Sequence, residues 1–253
     1  MLDVVYLSAH LDDAVWSCGG TLYEQAQAGK RVLVVTLCAG DPPAGALSDF
    51  AQVHHDRWGV TSATAVAVRR KEDVTALHGL GVRWLHLPLR DAIYRAGPNG
   101  DWLYTSGPAL FGDLHWADQA AWLPQVVGWL AALPGVTDDT QVWLPLGLGQ
   151  HVDHQLTRAA GEAWGGGGAR MYYEDYPYVA QAGVALGDGW HRQVQVLSGA
   201  AVSARLTAMA CYASQISTFW DDVETMVAAT AGWLQGNGAG VAAECKWKRR
   251  ETE

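Results

Sequence analysis

Short, continuously apolar runs alternate along this chain with longer segments whose apolar residues recur every three or four positions. Asp3-Val4-Val5-Tyr6-Leu7 is the first apolar run, and polar residues His10 to Asp13 follow at its C-terminal end. Arg31 to Leu37 is β-branched and apolar without alternation, the pattern of a strand covered on both faces. Further strands are predicted at Val82 to Leu87, Gln141 to Leu146, Ala169 to Tyr173 and Gln193 to Leu197. Helical patterns fall between them. They cover Ala14 to Ala28 (closed by Gly29), Leu47 to Trp58, Ser62 to Leu80, Trp116 to Leu133, Gln150 to the glycine run Gly165–Gly168, Ala200 to Tyr212 and Trp220 to Gln235. Strand–helix alternation implies right-handed crossovers. The predicted class is therefore α/β, a Rossmann-like, mostly parallel sheet with helices on both faces. No repeat, low-complexity segment or linker divides the chain, so residues 1–253 are expected to form a single domain. Ala96 to His115 is the longest stretch without helical periodicity, and reads either as a rim over a site or as a surface excursion.

Composition narrows the function. The chain has 253 residues, 49% hydrophobic and 17% charged, which permits a large core and excludes disorder. Lys and Arg number 17 against 26 Asp and Glu, a net charge of −9 that repels nucleic acid and anionic membrane surfaces. The one basic run, Lys246 to Arg250, reads as a solvated tail. The longest uncharged run, Gln119 to Thr137, carries Pro124 and Pro134 and is not a membrane span. The N-terminus lacks the basic region of a signal peptide. Four scattered cysteines without a C-x-x-C pair fit a reducing compartment, so a cytoplasmic location is expected and a cysteine zinc site is not. The 13 tryptophans read as core and rim packing, with aromatic platforms for a sugar as the alternative.

Two polar clusters stand where ligands bind in parallel sheets, at the C-terminal ends of strands. They are Ala9-His10-Leu11-Asp12-Asp13, after the first strand, and His151-Val152-Asp153-His154, after the strand ending Trp143-Leu144-Pro145. Taken singly, the Asp pair could be a helix cap and the histidines surface residues. Taken together, His10, Asp13 and His154 supply two imidazoles and a carboxylate, a hydrolytic zinc set that leaves a position for water. Asp12 can then accept a proton from that water. His151 precedes His154 by one helical turn and can face the same pocket, stabilising an oxyanion or protonating a leaving amine. Asp153 is expected to orient His151 and raise its pKa.

These motifs, with Cys18-Gly19-Gly20-Thr21-Leu22, Arg69-Arg70-Lys71-Glu72 and Tyr212-Ala213-Ser214-Gln215, resemble those of the PIG-L/LmbE-like deacetylases over nearly the full chain. The resemblance implies a zinc-dependent enzyme that removes acetyl from N-acetylglucosamine-type substrates. Ferrous iron is an alternative metal. It implies His10, Asp13 and His154 as ligands, Asp12 as base, His151 as the residue assisting the tetrahedral intermediate and Asp153 as its modulator. Arg69 matches an arginine that contacts substrate, although pairing with Glu72 or Asp73 explains it equally. Asp91 stands where sugar hydroxyls are bound, or caps a turn. The expected partner is a small amino-sugar substrate, and a homo-oligomer is compatible with the sequence.

The chain departs from the family pattern at Leu11 and Ala14, where proline and glutamate are usual, and at Gly147 to Gln150, which lacks a tyrosine for the oxyanion. Tyr94, Tyr104 or Tyr178 could substitute. His54 and His55 read as surface or supporting residues, and Cys18 as a small buried one. Three other functions compete: a non-haem iron enzyme on the same two-His-one-Asp set, in which Asp12 has no role; a metal- or sugar-binding module without turnover; and a dinucleotide enzyme, excluded because no G-x-G-x-x-G follows the first strand.

Overall fold

The computed structural model describes residues 1–250. Its strands are β1 (Val4–Ser8), β2 (Val32–Thr36), β3 (Arg83–His86), β4 (Gln141–Pro145), β5 (Arg170–Tyr173), β6 (Trp190–Val196) and β7 (Ala243–Arg249). Its helices are α1 (Asp13–Gln27), α2 (Asp49–Trp58), α3 (Ala65–Gly79), α4 (Gly107–Leu110), α5 (Trp116–Ala131), α6 (Val152–Ala163), α7 (Tyr178–Ala182), α8 (Gly199–Met209), α9 (Ala213–Ile216) and α10 (Val223–Asn237). The seven strands form one sheet in the order β3-β2-β1-β4-β5-β7-β6. Pairs β2–β3, β1–β2, β1–β4 and β4–β5 are parallel, and β7 runs antiparallel to both β5 and β6. The α/β reading therefore holds, with an antiparallel edge added.

Strand periodicity builds the two layers of the core. Val4, Tyr6, Val32, Val34 and Trp143 point to one face, where they meet Val15 and Leu22 of α1, Leu77 of α3 and Met209 of α8. Val5, Leu7, Leu33, Val35 and Leu144 point to the other, against Val126 and Leu130 of α5 and Leu156 of α6. Each fully buried aliphatic side chain contributes about 1.5–3 kcal/mol through burial. Strands with both faces covered must be apolar throughout, which is why β1 and β2 show no alternation.

The basic C-terminal run is not a solvated tail. It is most of β7, inserted between β5 and β6 with Trp247 opposite Tyr172 and Cys245 opposite Val194. Alternation explains how a strand absorbs these charges: Cys245 is buried on one side, while Lys246 on the other lies 5.3 Å from the Trp143 ring. Buried Glu244 accepts from the Gly20 and Thr21 amides at 2.8 Å and pairs with Arg205 at 2.9 Å, tying β7 to α1 and α8. The four cysteines are free. Among the described residues no helix is long and apolar enough to cross a membrane.

The order of strands reverses between β1 and β4, from which the chain leaves toward opposite edges. A crevice opens at such a point, outside the carboxyl ends of the strands. His10 to Asp13 leave β1 there and His151 to His154 leave β4 beside them.

Candidate metal centre and active-site cavity

Three side chains from these two junctions converge. His10 Nδ1 lies 3.1 Å from Asp13 Oδ2, and His154 Nε2 lies 3.3 Å from the same oxygen. One ligand atom from each of the three fits within 4.8 Å of the others. Local structure fixes each of them. Asp13 is the first residue of α1, where its carboxylate also accepts the His10 backbone amide at 2.7 Å. His154 lies one turn into α6. The Nε2 of His154 is buried without a hydrogen-bond partner, and its Nδ1 donates to Asp175 Oδ1 at 2.7 Å. His10 Nε2 donates to Asp153 Oδ2 at 2.9 Å. Each imidazole is thus backed by a carboxylate and turns its other nitrogen inward, the support usual for metal-binding histidines.

Electrostatics favours a cation here. Burial opposes charge on His154, but Asp13 and Asp175 outweigh it and push its pKa up to about 10. Burial likewise opposes the Asp13 carboxylate, which His154 and His10 nevertheless hold well below the usual range. The site thus prefers positive charge around Asp13, and two imidazoles with one carboxylate suit a divalent metal of the zinc or iron type. A second grouping, His10, Cys38 and Asp153, is equally compact. It suits an ion less: burial holds the Cys38 thiol in its protonated form, and Asp153 is already engaged by Arg95.

Asp12 adjoins this set without capping α1, since its side chain accepts no helix amide. It lies 3.5 Å from the Arg69 guanidinium, which stands 3.5 Å from Asp91 on its other side. Burial and the neighbouring Asp13 push Asp12 up to about 7, against the opposing pull of Arg69 and His10. Arg69 does not pair with Glu72 or Asp73. Glu72 binds the Ser214 hydroxyl at 2.7 Å, and Asp73 binds Tyr212 at 2.8 Å and His86 at 2.7 Å. Asp91 both caps the turn Ala92–Tyr94, accepting from Ile93 at 3.2 Å, and lines the cavity.

The second junction departs from expectation. The Asp153 carboxylate does not touch the His151 ring. It accepts from His10, accepts the Ala92 amide at 3.0 Å and pairs with Arg95. Residues two apart on a helix do not face one another, so adjacency in the sequence misleads here. His151 instead caps α6, its Nδ1 accepting the Asp153 backbone amide at 3.2 Å. Its pKa is not raised but held well below the ordinary imidazole value, by burial and then by charge on His10, which together exceed the pull of Asp153. Burial thus favours the neutral ring, and with Nδ1 accepting the Asp153 amide its proton belongs on Nε2.

Several supporting residues escaped sequence reading. Asp175 follows the end of β5, and the strand-end rule that singled out His10 could have found it. Buried Arg95 bridges Asp153 and Asp118, at 2.8 Å from the latter, and no local pattern marks that pairing. Of the three tyrosines, Tyr94 is bonded to His55 and Tyr104 to Asp118 at 2.8 Å. Tyr178 lies edge-on to His154, ring centres 5.5 Å apart, and its hydroxyl has no hydrogen-bond partner among the described residues. Gly149, at φ +82°, makes room for it: a Cβ there would stand 2.8 Å from Tyr178 Cβ.

His10, Asp12, Asp13, Arg69, Asp91 and His151 floor a cavity of about 610 Å³ whose walls include Phe50, Val53, His54, Arg57 and Trp58 of α2 and Gln215 of α9. His54 is therefore a wall residue, while His55 is buried behind it. The aperiodic segment contributes Gly107, Leu110 and Phe111, so it forms part of the rim.

Comparison with known proteins agrees with this architecture. The family model for PIG-L, GlcNAc-PI de-N-acetylase, matches residues 5–164, and the chain belongs to that family. A 2'-N-acetylparomamine deacetylase of Niallia circulans is 28% identical over 236 residues, covering 88% of this chain and 84% of that protein. The zinc-inhibited form of a teicoplanin deacetylase has a TM-score of 0.83 at 28% identity, covering 99% of each chain. A deacetylase–teicoplanin complex from teicoplanin biosynthesis has a TM-score of 0.80 at 30% identity, covering 98% of this chain and 99% of that one.

Proposed function

We propose that this member of the PIG-L family is a metal-dependent N-deacetylase that hydrolyses the acetamide of an amino sugar or of an N-acetylglucosamine-containing conjugate. One observation carries the reading: two carboxylate-backed imidazoles and Asp13 converge beside a separate carboxylate, Asp12, on the floor of an open cavity. The deacetylase activities of the relatives support it.

His10 Nδ1, Asp13 Oδ2 and His154 Nε2 would hold a divalent cation, zinc by their nitrogen and oxygen character, with ferrous iron compatible. Bound there, the ion supplies Lewis acidity that polarises the amide carbonyl and acidifies water. Asp12 takes the proton of the attacking water. Burial and the neighbouring Asp13 carboxylate favour a proton on Asp12, the direction that suits a group accepting one from water. His151, neutral and with Nδ1 occupied as an acceptor, donates its Nε2 proton in a hydrogen bond to the carbonyl oxygen as negative charge develops. The free hydroxyl of Tyr178 provides a second donor in place of the tyrosine absent from Gly147–Gln150. Asp12 then returns its proton to the amine nitrogen as the C–N bond breaks, releasing acetate and the free amino sugar. This assigns the proton transfer to Asp12 and hydrogen bonding to His151, where the sequence suggested a protonated His151. Arg69 fixes Asp12 and Asp91, and Asp91 accepts from sugar hydroxyls.

The test is release of acetate and primary amine from N-acetylglucosamine and its glycosides by zinc-loaded and by chelated protein. Equimolar acetate and amine, dependent on metal, are expected. Absence of amide cleavage with zinc and with ferrous iron alike overturns the reading.

A further inference from the structure

The proposed chemistry needs His151 held still, and the backbone that leads into it is an unfavourable one. Residues 147–150 join β4 to α6. Gly147 and Gly149 lie at φ +78° and +82°, and Gln150, immediately before His151, lies at φ +62°. Glycine adopts such angles freely, whereas a glutamine there has to be held by contacts from outside the loop. One end of the loop is pinned by Asp175, which accepts the Leu148 amide at 2.9 Å while it backs His154. The other end is pinned by Gln155.

Gln155 is half-buried on α6, directly after His154. Its Nε2 donates to the Gln150 carbonyl and to the Gly112 carbonyl, both at 2.7 Å, and its Oε1 accepts the Leu114 amide at 3.3 Å. Both donor hydrogens and the acceptor of the carboxamide are therefore used, and the reverse orientation would set its oxygen against two carbonyls. Gly112 and Leu114 belong to the aperiodic segment. Phe111, beside them, stands edge-on to His151 with ring centres 5.2 Å apart and lies 5.9 Å from Tyr178. One side chain thus ties to α6 both the backbone preceding His151 and the segment whose ring packs against it. A crevice of about 280 Å³, lined by Gln150, Gln155 and Arg158, brings water to this junction. Water can replace the tie's hydrogen bonds there, so the tie matters little to stability.

We infer that Gln155 is a positioning residue for the hydrolysis: by holding the Gln150 carbonyl and the backbone of Gly112 and Leu114 to α6, it fixes the His151 ring where negative charge develops on the substrate. This deepens the deacetylase reading and rests on it. A donor that acts only in the transition state is sensitive to placement, and an error of about 1 Å can cost about 100-fold in rate.

Gln155→Met keeps the side-chain volume and removes all three hydrogen bonds. On N-acetylglucosamine or a glycoside of it, kcat should fall at least about tenfold with KM within about twofold, because the interaction lost is made only in the transition state. Zinc affinity by competition titration and the urea midpoint should stay at the wild-type values. Gly112→Ala, on the far side of the tie, brings a Cβ to 2.8 Å from the Pro108 carbonyl oxygen and displaces the acceptor without touching α6. Its kcat should fall in the same direction, and it carries the same tests should Gln155→Met not fold. A double-mutant cycle decides the route: in a His151→Ala background either substitution should cost less than about twofold, since no ring remains to be positioned. Full additive losses in that background, or an unchanged kcat in both single variants, overturn the inference. The His151 ring signal in proton–nitrogen spectra, assigned by its absence from His151→Ala, needs no turnover and should shift or broaden in Gln155→Met. A perturbed ring signal without amide cleavage by the wild-type protein removes the deacetylase reading alone. Cleavage with an unperturbed signal and additive losses removes this inference alone, and an unperturbed signal without cleavage removes both.

Discussion

The floor and the α2 wall of the same cavity are built on opposite principles. On the floor, side chains from β1, β4 and β5 junctions are tied to one another: His10 to Asp153, His154 to Asp175, Asp153 to Arg95, Arg95 to Asp118. These groups are buried, and the three junctions belong to adjacent strands of one sheet. The α2 wall is held mainly through the turn at Ala92–Tyr94, leaves Val53 and Arg57 in solvent, and has a buried His54 Nδ1 without a partner. Positional demands differ accordingly. Chemistry needs ligand atoms held to a fraction of an ångström, which strand ends supply, whereas recognition tolerates a looser surface.

The sharpest way to break this comparison is at Asp12, the floor residue whose charge is least comfortable. Asp12→Asn should keep the metal by elemental analysis and lower kcat about 10²–10⁴-fold. Burial raises the Asp12 pKa from the ordinary 3.8 to about 7, so the native state holds this proton more tightly than the unfolded chain. Stability therefore falls as pH rises between those values, and above pH 7 the ionised carboxylate costs a few kcal/mol in the metal-free protein. The same variant should raise the urea midpoint of metal-free protein at pH 8 and have little effect at pH 4. A loss of stability at pH 8 would place Asp12 among supporting residues and remove it as base.

Arg95 tests how far the floor depends on its network. Arg95→Met leaves Asp153 and Asp118 buried without their cation, a cost of about 3–5 kcal/mol measurable by chemical denaturation. A smaller effect is expected at Asp175. Asp175→Asn keeps an acceptor beside His154 Nδ1 but removes the charge, and zinc affinity should fall about 10–100-fold in a competition titration. Unchanged affinity would mean that His154 does not hold the ion. The smallest effect belongs to the wall: Val53→Asn, on an exposed helical position, should move stability by less than about 0.5 kcal/mol by thermal or urea unfolding. A loss comparable to that of Arg95→Met would show that α2 is packed as tightly as the floor, and the contrast between the two would fail.

Local pattern determined a good deal of this protein. Apolar runs without alternation marked β1 and β2, because strands covered by helices on both faces tolerate nothing else. Polar residues directly after β1 and β4 marked the strand ends, which is how His10, Asp12, Asp13, His151 and His154 were legible as one cluster from the sequence. Tertiary structure decided whatever depends on partners distant in the chain. Lys246 to Arg250 read as a solvated tail because the strands that β7 pairs with, β5 and β6, lie far upstream. Asp153 read as a partner of His151 because they are neighbours, yet helix geometry turns it toward His10 and Arg95. The sign of the His151 shift depends on burial and on His10, a residue of the other junction. Propensity and periodicity are properties of a few adjacent residues, whereas the charge state of a buried group is set by the sum of fields from elements that meet only when the sheet closes.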